Sequence, residues 1–178
     1  MLKQFGVGML AKFNLGEYKS PEDTMQKIAE FIKTGVVSIR DDFKKPDDDW
    51  EPVYLVVLPD GEAKLFTSTM DKHLFVEFIA HVAKTSGAIG IGQLNSSWRK
   101  MTNEMPKGGS IAGKPGSEEG LLLTVYTRTF WQAEWAAIKR SESAPPTLAP
   151  WEVMFKREEG TEVAGAMFDP LLQALRKN

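Results

Sequence analysis

Between Glu51 and Gly92 the chain carries a continuous succession of structural signals, and they constrain its fold more than any other stretch. Val53-Tyr54-Leu55-Val56-Val57-Leu58 is an almost unbroken apolar run, the pattern of a strand covered on both faces. Pro59-Asp60-Gly61 follows as turn chemistry, with proline pre-setting φ and glycine accepting a positive φ. Ala63–Thr67 then returns as the second strand of a hairpin. Ser68, with Asp71 three residues on, forms a capping-box pattern opening a helix that runs to about Ser86. Its apolar face is Leu74, Phe75, Phe78, Ile79 and Val82, and Gly87 supplies the stop. Ala88–Leu94 reads as a third strand, which a right-handed crossover places parallel to the first or second.

Weaker signals surround this stretch. Residues 1–19 hold scattered apolar groups without a clean period and fit either an edge strand or a packed arm. Ser20 at an N-cap, Pro21 at the first helical position and Asp23 closing a capping box open a helix over 21–34. Met25, Ile28, Ala29 and Ile32 form its apolar stripe and Gly35 its stop; Val36–Phe43 extends that helix or forms a short strand. Lys44–Asp49 (KKPDDD) reads as a polar linker. Residues 99–120, with five glycines and two prolines, read as a long mobile loop. Leu121–Thr129 reads as a strand. Phe130–Arg140 fits a helix through Trp131, Trp135 and Ile138, or a strand through Trp131, Ala133, Trp135 and Ala137; the threonines before it favour strand. Trp151–Phe155 is a last strand, and Asp169-Pro170 opens a short terminal helix. The expectation is a single α+β domain over 1–178, a mixed sheet of about five strands with one main helix, 69–86, packed on it.

Composition narrows the chemistry. No cysteine is present among the 178 residues, so disulfides, thiolate metal sites and cysteine nucleophiles are excluded together. The charge balance is 22 basic against 24 acidic residues, net −2, so no global field favours nucleic acid. No apolar run approaches the ~20 residues that cross a bilayer. In the first twenty residues Lys12 and Asn14 interrupt the apolar stretch and no small-residue cleavage pattern follows, so a cytoplasmic location is expected.

Each candidate motif has a plainer explanation beside it. Gly108-Gly109-Ser110-Ile111-Ala112-Gly113-Lys114-Pro115 resembles a phosphate loop, but proline replaces the magnesium-binding hydroxyl and the flanks are not strand and helix. His73, Glu77 and His81 share one helical face and suit a metal chemically. The outer two lie two turns apart, however, and a polar outer face is what a surface helix needs. No metal and no cofactor is expected. Asn95-Ser96-Ser97-Trp98-Arg99 ends the third strand, where α/β sheets commonly open a crevice. A serine nucleophile there lacks a histidine base nearby in sequence. Trp131 and Trp135, close to Arg128, Lys139 and Arg140, suit an interface or stacking surface if exposed, and core packing otherwise.

Asp60-Gly61, Asp71-Lys72, Thr85-Ser86-Gly87-Ala88 and Ser96-Ser97-Trp98, with Pro150-Trp151-Glu152, resemble an uncharacterised group of small bacterial hypothetical proteins over roughly half of the chain. Ser86 and Ser97 depart from that group's pattern. The resemblance implies mixed strands with one main helix, and it brings no activity. The functional expectation is a non-enzymatic binding or accessory protein acting through protein contacts, with self-association. The alternatives are a small-molecule or nucleotide-binding enzyme using a crevice at Asn95–Arg99 under the 100–120 loop, and a nucleic-acid-binding protein using Trp, Arg and Lys side chains.

Overall fold

A computed structural model of the protein describes residues 7–69, 71–100, 111–157 and 169–176. Their elements in chain order are β1 (Val7–Asn14), α1 (Pro21–Asp42), β2 (Val53–Val57), β3 (Glu62–Ser68), α2 (Lys72–Ser86) and β4 (Gly90–Lys100). β5 (Ser117–Thr127), β6 (Trp131–Lys139), β7 (Thr147–Leu148), β8 (Glu152–Arg157) and α3 (Asp169–Arg176) complete the set. The eight strands form one sheet in the order β1-β3-β2-β4-β5-β6-β7, and β8 also pairs with β6. The sheet curls into a half-barrel. No helix among the described residues is long and apolar enough to cross a membrane.

This corrects the expected mixed sheet of about five strands with one main helix. Every pairing is antiparallel. The crossover through α2 does return β4 in the direction of β3, but β2 lies between them and borders each in the antiparallel sense. The additional strands come from 7–14 and 147–148, where composition carries no period. Pairing to an existing edge, rather than local patterning, makes those segments strands.

Local signals explain the element ends. Ser20 accepts a hydrogen bond from the Asp23 amide, and Pro21 occupies the first turn of α1. The helix then continues through Gly35 to Asp42 instead of stopping at 34. Its buried stripe of Met25, Ile28, Ala29, Ile32 and Val36 outweighs the ~1 kcal/mol that an interior glycine costs. α2 is capped by Asp71, whose carboxylate accepts from the His73 and Leu74 amides. Ser68 instead pairs with Val7 at the end of β3. The buried stripe of α2 is Phe75, Val76, Ile79 and Ala83, and Leu74 is exposed, so the expected face is rotated. Gly87 closes the helix at φ 67, and Gly61 turns the β2–β3 hairpin at φ 85.

Two cores result, one on each side of the sheet. α1 packs on Leu55, Val57, Leu94, Leu121, Leu123 and Val125. α2 and α3 pack on Tyr54, Val56, Phe66, Ile91 and Tyr126. The continuous apolar run at 53–57 is therefore shared alternately between the two layers, as expected of a strand with no solvent face. Gly92 lets α1 approach, since a Cβ there would sit 2.5 Å from Ile28 Cγ2 and from Ile32 Cδ1.

Candidate functional site

Beyond Ile91 and Tyr126, the sheet face that α2 and α3 cover becomes polar. Gln93, Asn95, Ser97 and Arg99 alternate along β4 on that face. β5 sets Thr124, Leu122, Gly120 and Glu118 directly opposite them. The ladder between β2 and β4 ends at the Val53–Leu94 pair, next to Pro52, a residue type confined to strand ends and edges. Chain 49–52 then runs beside β4 without pairing, and Ser96 Oγ donates to the Trp50 carbonyl at 3.4 Å. The divergence opens a cavity of about 410 Å3, within the range of small-molecule sites. Asp49, Trp50 and Pro52 line one side of it and Asn95, Ser96 and Ser97 another, while Tyr54, Gln93, Leu122 and Thr124 complete the lining.

The hydrogen-bonding groups here are neutral. Gln93 Nε2 donates to Tyr54 Oη at 2.7 Å, and Tyr126 Oη donates to Gln93 Oε1 at 3.3 Å. Burial pushes the Tyr54 phenol up to about 12, partly offset by hydrogen bonds from Asn95 and Gln93. Burial raises the Tyr126 phenol further still. Asp49 is the carboxylate at the rim, where its Oδ1 accepts from the Trp50 amide. Its Oδ2 lies 3.2 Å from Arg140 Nη2. Arg140 also makes a two-point contact with Glu119, at 2.8 Å for each bond.

An alkaline transition follows from the two phenols. A phenol raised from 10 to about 12 in the folded protein favours the folded state fully below pH 10. That contribution is lost as pH rises from 10 towards 12, because the unfolded chain then releases a proton that the folded chain retains. Phenolate absorbance should therefore rise for Tyr54 and Tyr126 together with loss of near-ultraviolet circular dichroism. Titration of both phenols in a protein that stays folded near pH 10 would contradict this.

The far end of the same face is held shut by Arg99. Its Nε and Nη2 lie 2.8 and 2.7 Å from Glu118 Oε2, and its Nη1 pairs with Glu152. The guanidinium lies 4.7 Å from the centroid of the Trp135 ring. Arg99 thus ties β4, β5, β6 and β8 together. Trp135 is buried and lies against Gly120, where a Cβ would come within 2.4 Å of Cζ2.

Of the residues singled out in the sequence, Asn95, Ser96 and Ser97 line the cavity. Trp98 points to the opposite sheet face and is exposed, and Arg99 is engaged by two carboxylates. Trp131 and Trp135 share a face of β6, so 130–140 follows the strand pattern over Trp131–Lys139. Trp131 packs against the α2–α3 core. His73, Glu77 and His81 are exposed on α2, and no group of three or more potential metal ligands occurs among the described residues. Gly108–Ser110 lie outside the described residues. After 111–116 the chain enters strand β5, where a phosphate loop would need a helix.

Tyr54, Gln93, Leu122 and Thr124 are cavity residues that sequence reasoning missed. A glutamine inside an apolar strand and a threonine inside Leu121–Val125 were the available signals, and their meeting depends on register. A second cavity, of about 440 Å3, lies near Tyr18, Pro21, Pro59, Ala88 and Ile89, beside Arg128. It is lined mostly by apolar groups and gathers no comparable set of hydrogen-bonding side chains. Comparison of the chain with protein-family models, with curated proteins and with solved structures gives no match.

Proposed function

We propose that this chain is a non-enzymatic binding protein that holds a small uncharged ligand in the cavity between β4 and chain 49–52. The observation that carries the reading is the grouping of Tyr54, Gln93, Asn95, Ser97 and Thr124 on one face of adjoining strands. These groups orient a ligand by hydrogen bonds but supply neither nucleophile nor general base near neutral pH. Asp49, the acid at the rim, is paired with Arg140. A screen of small neutral fragments, read by side-chain amide NMR signals, should shift Gln93 and Asn95. If no fragment moves either signal, the reading fails.

A second reading, through protein contacts and self-association, has its own observation. Leu10, on edge strand β1, and Val153 and Phe155, on β8, are 56, 59 and 52% exposed, and apolar edges of this kind favour pairing with another chain. Light scattering after size exclusion tests it: a monomer at every concentration removes self-association. The net charge of −2 lends no support to a nucleic-acid partner.

A further inference from the structure

We infer that the ligand is a planar cyclic amide, a lactam or imide of the kind found in nucleobases, held edge to edge by the Asn95 carboxamide. The inference rests on the binding reading above and narrows it to one chemistry. Both ends of the Gln93 amide are engaged, its oxygen by Tyr126 and its nitrogen by Tyr54. Gln93 is 4% exposed, so it serves as a fixed internal brace. Asn95, two residues along the same face, borders the cavity half-buried. Its carboxamide carries a carbonyl acceptor beside N–H donors, enough for a two-point contact with a ligand. A carbonyl beside an N–H on a carboxamide is the complement of the C=O and N–H edge of a cyclic amide. Asparagine reads the edge of adenine by the same two-point geometry. Leu122, directly opposite Asn95, supplies apolar surface for a flat ring.

The neighbouring charges and aromatics argue against other ligands. A phosphate would need a free cation, but Arg99 is held by Glu118 and Glu152 and Arg140 by Glu119 and Asp49. A sugar ring is commonly held against an open aromatic face, and the two aromatics of the lining, Trp50 and Tyr54, are buried, Tyr54 edge-on against Phe75. The Trp50 indole is buried and donates to the Val36 carbonyl, Arg99 covers Trp135, and Trp98 lies on the other side of the sheet.

The test is calorimetric titration of the intact protein with uracil, 1,3-dimethyluracil, uridine 5′-monophosphate and glucose. Uracil should bind and shift the Asn95 side-chain amide signals. Dimethyluracil, with its N–H groups blocked, should bind at least roughly tenfold more weakly, the lower range for losing a bidentate base contact. The monophosphate, which keeps its imide edge, should also bind more weakly than uracil, because no free cation among the described residues lining the cavity meets its phosphate. Asn95→Asp, which exchanges a donor for an acceptor, should weaken uracil by a similar factor while leaving the melting temperature of the free protein close to the parent's. Equal binding of uracil and dimethyluracil would overturn the inference. Binding of glucose without uracil would also overturn it, while leaving the pocket as a ligand site. A cavity that takes neither these probes nor any neutral fragment would remove both readings.

Discussion

Gly120→Ala is expected to destabilise the protein by about 3 kcal/mol, the upper end of the usual cost of overpacking a core. The added Cβ would lie 2.4 Å from Trp135 Cζ2, 2.5 Å from Cε2 and 2.7 Å from the Ala136 carbonyl oxygen. Neither neighbour gives way easily. The carbonyl belongs to the β5–β6 ladder, and Arg99, held by Glu118 and Glu152, covers the indole. Urea denaturation of the single and double variants separates the causes. If the clash with the indole dominates, Gly120→Ala should cost much less in a Trp135→Leu background, and the cycle should show coupling of more than about 1 kcal/mol. A single variant within about 0.5 kcal/mol of the parent would show that β5 and β6 separate more easily than this packing implies.

Gln93→Leu is expected to cost about 3 kcal/mol, and here the cause is loss of partners. The substitution keeps side-chain bulk but removes the acceptor for Tyr126 and the donor to Tyr54. Both phenols are buried, at 0 and 2% exposure, and an orphaned buried polar group costs about 1–3 kcal/mol. Losses at groups joined in one network rarely add in full, which holds the sum below the simple total. Replacing all three members, as Tyr54→Phe, Gln93→Leu and Tyr126→Phe together, should recover much of the loss, because neither phenol is then left without Gln93 as a partner. Denaturant midpoints report both quantities. A triple variant less stable than Gln93→Leu alone would show that shape, and not pairing, is the dominant contribution.

The sequence made the local elements legible and left their partners open. Ser20-Pro21 and Gly87 mark helix ends by chemistry confined to a few residues, and Asp60-Gly61 marks a turn in the same way. Each appears in the structure where the sequence places it. The run 53–57 announces burial on both sides, and two helical layers provide it. The sense of pairing was not legible. A helix between two strands commonly implies adjacent parallel neighbours, and nothing local says that β2 inserts between β3 and β4. Helix α1 passes through Gly35 because its stripe reaches Val36, a tertiary gain that propensity does not contain. The candidate site was half legible for the same reason. Asn95 and Ser97 stand out as polar residues ending a strand, while Tyr54, Leu122 and Thr124 join them only through the registers of β2 and β5.

The early end of β2 also divides β4 into two lengths held by unlike forces. From Gly90 to Leu94 the strand is paired on both sides and buried. From Asn95 to Lys100 it pairs only with β5, and Ser96, Trp98 and Lys100 are exposed. The second length is held instead by Arg99, through Glu118 and Glu152 and over the Trp135 ring, so it depends on charge pairing where the first depends on buried apolar packing. The cavity lies at the seam between the two. A ligand seated there would bridge the charge-held ribbon and the apolar sheet, so that its binding would be felt by both.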